Sequence, residues 1–268
     1  MGKPAFSLAP RIAAGERLLG TMFFTADAVL VEIAGAAGFD FALLDMEHSA
    51  ATSGPVLLQL VRAADAAGMP VLVRVPSCDS TLIRHALESG AEGVVVPHVR
   101  SRQEAEAAVA CARFPPLGQR GYAGVSVRAT GYGLRQSGPA YKQATDDGAL
   151  VIVMAEDDEF FALAQAIVSV PGVSGVFFGA ADYAVSRGLT LGSPEATQAA
   201  AERSADVVRI AREHGRFSLG SAVRGDRESL QQALDKGHQL VLGGSDVTLF
   251  AELCRHARAA MDSALAGR

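Results

Sequence analysis

Residues 39–48 read FDFALLDMEH. Phe41 to Leu44 form a short apolar run of the kind that makes a strand buried on both faces, where alternation is hidden because neither side meets water. Three ionisable groups, Asp45, Glu47 and His48, follow at once. A packed sheet has no structural use for such a cluster, since each charge must be desolvated or paired. At the open mouth of a barrel or sheet the same groups could ligate a metal, orient a base and take a proton.

Outward from this strand the chain alternates short apolar or β-branched runs with longer Ala-rich helical segments. Strands are expected at Leu19 to Phe24, Phe41 to Leu44, Val71 to Val75, Gly93 to Val96, Leu150 to Met154, Val173 to Phe178, Arg216 to Leu219 and Gln239 to Leu242. Helices are expected at Asp27 to Ala37, from a Ser53 cap to Ala67, at Thr81 to Ser89 behind an Asp79 cap, over residues 102 to 113, up to about Val168, at Pro194 to Glu213, at Arg227 to Lys236, and from Asp246 onward. Gly38, Gly68 and Gly90 stop the first three. Eight such units are the count for one α/β domain, a TIM-type (β/α)8 barrel spanning residues 1–268. A doubly wound open sheet is the alternative, but its glycine-rich GxGxxG turn after the first strand is absent. The alternation breaks over Pro115 to Asp147, a stretch rich in Gly, Arg, Tyr and Ser that is too long for an ordinary connection. It is expected to be a functional excursion at the active end, covering the mouth.

Composition narrows the class. Charged residues are 20% and hydrophobic residues 49%, with no Trp, which describes a globular chain with a large core. The formal charge is −5 with no basic run, so nucleic acid is not an expected partner. Cys78, Cys111 and Cys254 are odd in number, far apart and without a CxxC, which disfavours a disulfide framework and structural zinc. The N-terminus has no basic segment followed by a sustained apolar run, and no stretch reaches bilayer length. A cytoplasmic protein with no membrane contact is expected.

In a barrel, chemistry belongs at the C-terminal strand ends. There the sequence places Asp45, Glu47 and His48, then Arg74, His98, Glu156 and Asp182, while Glu88 lies on the third of these helices. Glu156 and Asp182, on neighbouring strand ends with no Cys or His signature, suit a hard divalent ion such as Mg²⁺ or Mn²⁺. Glu156 also has a purely structural alternative as a helix N-terminal acid beside Asp157, Asp158 and Glu159, and Asp182 as a helix cap. Arg74, ending a β-branched strand, presents a rigid donor fork to a carboxylate or enolate, or else pairs with Asp45 or Glu47. His48 could instead be a hydrogen-bonded structural histidine, and His85, His98, His214, His238 and His256 have weaker claims. The three lysines, Lys3, Lys142 and Lys236, all avoid strand ends, which excludes an imine mechanism.

Five linked segments carry a resemblance: GFDFALLDMEHSA, LVRVP, ALESGAEGVVVP, GQRGYAGVSVRATGYG and PGVSGVFFGAADYAVSRG. From about Leu19 to Phe250 the chain resembles the class II, metal-dependent pyruvate aldolases of the 2,4-dihydroxyhept-2-ene-1,7-dioate aldolase type. That resemblance implies a (β/α)8 barrel, a divalent cation (Mg²⁺, Mn²⁺ or Co²⁺), and retro-aldol cleavage of 4-hydroxy-2-oxo acids to pyruvate and an aldehyde. It also implies a homohexamer in which the last helix, residues 246 to 262, is exchanged between partners. By position Glu156 and Asp182 match the metal carboxylates, Arg74 the arginine at the keto or enolate oxygen, and His48 the acid and base histidine. Asp45 and Glu88 match acidic positions near that histidine, and the amides of Ala181 and Asp182 match those facing the pyruvate carboxylate. Two residues depart from the pattern: Met154 stands where the family usually has a glutamine that reaches the oxo acid, and Gly-Ala-Ala-Asp at 179–182 replaces Gly-Pro-Ala-Asp. The alternatives are a lyase for a hydroxyacyl-CoA thioester, with Arg120, Arg128 and Arg135 as the candidates for its phosphates, and a non-catalytic carboxylate-binding barrel.

Overall fold

The computed structural model describes residues 6–49, 54–222 and 225–266. Eight parallel strands close on themselves in sequence order, β1 next to β2 and on round to β8 beside β1. They are β1 Leu18–Phe23, β2 Phe41–Asp45, β3 Val71–Arg74, β4 Gly93–Val96, β5 Leu150–Ala155, β6 Gly175–Phe178, β7 Phe217–Ser221 and β8 Leu240–Ser245. The period of two that the sequence hides is restored by the barrel. Phe41, Leu43, Leu72, Val95, Ile152, Met154, Phe177, Leu219 and Leu242 fill the interior. Ala42, Leu44, Val71, Val73, Val94, Val96, Val151 and Val153 face the surrounding helices. Strands buried on both sides therefore read as continuous apolar runs.

Helices cover the strands: α2 Ala28–Ala36, α3 Gly54–Ala66, α4 Ser80–Ser89, α5 Arg102–Ala112, α7 Asp158–Val168, α9 Pro194–Glu213 and α10 Arg227–Asp235, while α11 Asp246–Ala266 meets the barrel only at its start. Their ends follow local chemistry. The Asp79 carboxylate accepts from the amides of Thr81 and Leu82 to start α4, and Gly90 at φ 108° ends it in the left-handed region. Ser101 and Glu104 form a reciprocal capping box on α5. The Ser53 cap expected for α3 lies outside the described residues. Three helices escaped the sequence reading: α1 Leu8–Ala13, α6 Gly138–Gly148 and α8 Ala180–Ser186. Short α1 is held across the N-terminal end of the barrel, where fully buried Leu8 joins the interior.

The stretch 115–147 does not cover the mouth. It leaves α5 and returns to β5, and in a parallel barrel a helix-to-strand connection lands at the N-terminal face. Its contacts agree with that placement: Arg128 Nη1 donates to the Ser89 carbonyl at 2.9 Å and pairs with Asp65, while just outside the stretch Arg113 Nη2 donates to the Ala149 carbonyl at 2.6 Å. Arg120, Arg128 and Arg135 line a small cavity on this side together with Glu92, Gly90 and Tyr141, so they are not available to a ligand at the mouth.

Candidate active site

Above the last apolar layer of the barrel the inward positions change character. Asp45 follows Leu43 on β2, Arg74 follows Leu72 on β3, and Glu156, one residue past the end of β5, follows Met154, each two residues on and so on the same side. Asp45 and Arg74 are register partners across neighbouring strands. Arg74 Nε donates to Asp45 Oδ1 at 2.6 Å, and its Nη1 lies 3.1 Å from Glu47 Oε2. Burial works against the guanidinium charge, but the hydrogen bond and charge of Asp45, with those of Glu47 and Glu156 nearby, raise its pKa further. Fully buried Asp45 also accepts from the amides of Glu47 at 3.2 Å and His48 at 2.9 Å, while its own carbonyl accepts from the Ser49 hydroxyl. The backbone of His48 is thus tied down while its ring is left free, more than half exposed, with Nε2 3.7 Å from Glu47 Oε2.

The four consecutive acids 156–159 take four different jobs. Asp157 caps α7 by accepting from the Phe160 amide at 2.9 Å, Asp158 pairs with Arg187 and accepts from the Tyr183 hydroxyl, and Glu159 lies 3.0 Å from Arg100. Only Glu156 turns inward. It is 3% exposed, its Oε2 accepts from the His98 amide at 2.7 Å, and its Oε1 has no hydrogen-bond partner. Burial raises its pKa above the ordinary carboxylate value, and the charges of Asp182 and Glu47 push the same way against the opposing effect of His98. Asp182 stands half-buried in the first turn of α8, with Ala180 and Ala181 before it. Gly179 makes this arrangement possible, since a Cβ there would fall 2.7 Å from Glu156 Cγ and 3.1 Å from Oε1.

His98, given a weak claim above, belongs to the site. It adopts φ 55°, unusual for a residue with a side chain, and this bend aims its amide at Glu156. Its Nε2 lies 3.2 Å from Glu47 Oε1 and its Nδ1 3.4 Å from Glu156 Oε2, so the ring bridges the carboxylates of β2 and β5. The signal available in sequence was its place just after β4; the backbone bend was not legible. Glu88 does not join the group. Within the chain it sits in the last turn of α4, a ten-residue helix that runs from the mouth toward the opposite face and carries it about 12 Å along the helix axis. Met154 lies at the floor, 1% exposed within the apolar interior.

Among the described residues no group of three or more His, Cys, Asp or Glu side chains is gathered as a metal cluster. The donor set nevertheless fits a hard cation: Glu156 Oε1 is buried and unbonded, Glu47 Oε2 has its ion pair with Arg74 but no hydrogen bond, and the charges of Asp182 and Glu47 raise the proton affinity of Glu156.

The family model for HpcH/HpaI aldolase/citrate lyase matches residues 20–252. A hydroxypyruvate/pyruvate aldolase of Pseudomonas aeruginosa is 33% identical over 257 residues, covering 95% of this chain and 92% of that protein. A 4-hydroxy-2-oxovalerate aldolase of Rhodococcus jostii (strain RHA1) is 36% identical over 189 residues, 70% of this chain and 71% of its own. The crystal structure of an HpcH/HpaI aldolase from Desulfitobacterium hafniense DCB-2 superposes with a TM-score of 0.85 at 27% identity, covering 96% of each chain. With the barrel and the strand-end carboxylates in place, this match across most of its length makes the chain a member of the HpcH/HpaI aldolase/citrate lyase family.

Proposed function

We propose that this protein is a carbon–carbon lyase that cleaves short 4-hydroxy-2-oxo acids to pyruvate and an aldehyde by retro-aldol chemistry, with a divalent cation held by Glu156 and Asp182. The observation that carries the reading is the pairing of an under-satisfied buried carboxylate, Glu156, with a guanidinium fixed by Asp45 and Glu47 in the same layer. A divalent cation, Mg²⁺ or Mn²⁺ with Co²⁺ as a further candidate, supplies Lewis acidity toward the ketone and carboxylate oxygens of the oxo acid when bound. Arg74, held through Nε and Nη1, offers its remaining donors to the oxygen on which enolate charge develops. His48, anchored by its amide with its ring free beside Glu47, takes the proton of the 4-hydroxyl as the C3–C4 bond breaks. The amides of Ala181 and Asp182, in the first turn of α8, suit the pyruvate carboxylate.

The test is pyruvate release, read by coupling to lactate dehydrogenase, from a panel of 4-hydroxy-2-oxo acids with Mg²⁺, Mn²⁺ and Co²⁺ in wild type and Arg74→Ala. Release that depends on both cation and Arg74 is expected. Release independent of either overturns the mechanism, and no release from any member favours a non-catalytic carboxylate-binding barrel. The thioester alternative loses support, because the three arginines it called on line the cavity at the N-terminal face.

The protein also acts as a homo-oligomer in this reading, with the hexamer implied by resemblance. Helix α11 touches the barrel only near its start and exposes Val247, Phe250, Leu253, Met261 and Leu265, an apolar face that a single copy leaves in water. Light scattering at micromolar concentration tests this, and a compact monomer would remove the assembly.

A further inference from the structure

Asp182 sits on a weak support. Helix α8 has seven residues, too few to hold together alone in water, and no side chain caps its start at Gly179. Its place is therefore set by what it touches, and these contacts converge on the turn that follows β5. Before the helix, the Gly179 amide donates to the Ala155 carbonyl at 3.0 Å. At its end, the Ser186 hydroxyl donates to the Glu156 carbonyl at 3.3 Å. Between them the Tyr183 hydroxyl donates to Asp158 Oδ1 at 2.9 Å, and Arg187 holds the other oxygen of the same carboxylate. Asp158 comes two residues after Glu156, and Tyr183 one residue after Asp182. This hydrogen bond thus joins the two segments that carry the carboxylates assigned to the cation.

Tyr183 is held from both sides. Its ring, 3% exposed, packs edge-on against Phe161 and tilted against Phe178, with centroids 5.5 and 5.9 Å away. Arg203 Nε donates to its hydroxyl oxygen at 3.0 Å while the guanidinium lies over Phe161, which leaves the hydroxyl proton for Asp158. A phenylalanine ring would fill the same core space; the hydroxyl adds the link. Asp158 is 47% exposed, so its ion pair with Arg187 contributes little to the stability of the fold. What the pair of contacts does fix is where α8 lies against the end of β5. We propose that Tyr183 and Asp158 are positioning residues for the cation site, joined so that the carboxylates of Glu156 and Asp182 keep one separation. Neither is a ligand; each acts through the carboxylate close to it in the chain. A fixed separation favours a small ion with strict octahedral demands, such as Mg²⁺, over the larger and more tolerant Ca²⁺, and loosening it costs Mg²⁺ more. The proposal rests on the reading of Glu156 and Asp182 as cation ligands.

The test is titration calorimetry of Mg²⁺ and, separately, Ca²⁺ into full-length protein stripped with EDTA and dialysed free of it, at a temperature well below the Tm of every variant. Glu156→Gln is expected to abolish binding of both ions. Tyr183→Phe, which keeps the ring, weakens Mg²⁺ about tenfold and Ca²⁺ about twofold. Asp158→Ala does the same, and the double variant is no weaker than either single one, because all three lose one bond. Asp158→Asn keeps an oxygen for the hydroxyl and restores the preference for Mg²⁺. Wild-type binding of both ions by Tyr183→Phe overturns the proposal. So does an equal loss for the two ions, which reports general loosening, or an Asp158→Asn as weak as Asp158→Ala, which reports a lost charge in place of a lost link. In these cases Glu156→Gln still abolishes binding and the cation reading stands. If Glu156→Gln binds like wild type, the cation reading fails and the proposal falls with it.

Discussion

Two buried glutamates, one at each end of the barrel, have opposite fates. Glu92, 2% exposed just before β4, is saturated: Oε2 accepts from the amides of Ser7 at 2.6 Å and Leu8 at 2.7 Å, and Oε1 from the Ser7 hydroxyl at 2.8 Å. Glu156, 3% exposed just after β5, is bonded through one oxygen only and faces other carboxylates. The desolvation of the first charge is offset by donors from α1 and its lead-in, whereas that of the second is left open. A fold that can satisfy a buried carboxylate at one end and does not at the other is keeping the second for something outside the chain.

Breaking the contrast at the mouth has the largest expected effect. Glu156→Gln and Asp182→Asn each lower kcat/KM by about three orders of magnitude, or about 4 kcal/mol of transition-state stabilisation, and abolish cation binding in titration calorimetry. Unchanged cation affinity in both variants removes the assignment. In metal-free protein Glu156→Gln raises Tm, because a carboxylate whose pKa is raised by burial destabilises the fold increasingly as pH rises above its ordinary value. The gain is therefore present at alkaline pH and vanishes at acidic pH. At the other end the signs reverse: Glu92→Ala costs about 3 kcal/mol of stability in urea melts, as α1 loses its anchor, and leaves kcat near wild type.

A buried titratable group on the barrel flank sharpens the comparison. His238 is held neutral by burial, its pKa lowered to about 4 from the usual 6.5. The unfolded chain binds the proton more readily, so its contribution of roughly 3 kcal/mol is complete above the unfolded pKa and is lost as pH falls toward the folded one. Urea melts across that window should show this slope in wild type and a flatter one in His238→Gln. The smallest effect is at the floor of the mouth. Met154→Gln restores a carboxamide in the layer beneath Glu156 and is expected to tighten the oxo acid about fivefold in KM, at some cost in stability from a polar group in an apolar interior.

The strands were legible because buried parallel strands leave short apolar runs, and β4 and α9 were read to the residue at Gly93–Val96 and Pro194–Glu213. Asp45, Arg74 and Glu156 were legible too, since a charge two positions beyond an inward leucine or methionine keeps the inward direction. Glu88 was placed by resemblance; within one chain α4 runs opposite to the strands and carries it toward the other face. The same rule, applied to the connection from α5 to β5, places 115–147 away from the mouth. α1, α6 and α8 were missed because each is short or opens on glycine and alanine, where propensity is weak and tertiary contacts decide. His98 depended on a backbone bend that no residue type announces.

Gly179 carries a lesson for anyone altering this protein. It contributes no acid, base or ligand, yet the space its missing side chain leaves is the space Glu156 fills. Laboratory evolution of substrate scope can vary exposed side chains away from Asp182, but a single methyl at 179 would force the Glu156 side chain out of its place. Libraries that spare only the chemical groups and randomise the glycine between them would be filled mostly with inactive clones, and the position would pass for a catalytic residue in any activity screen.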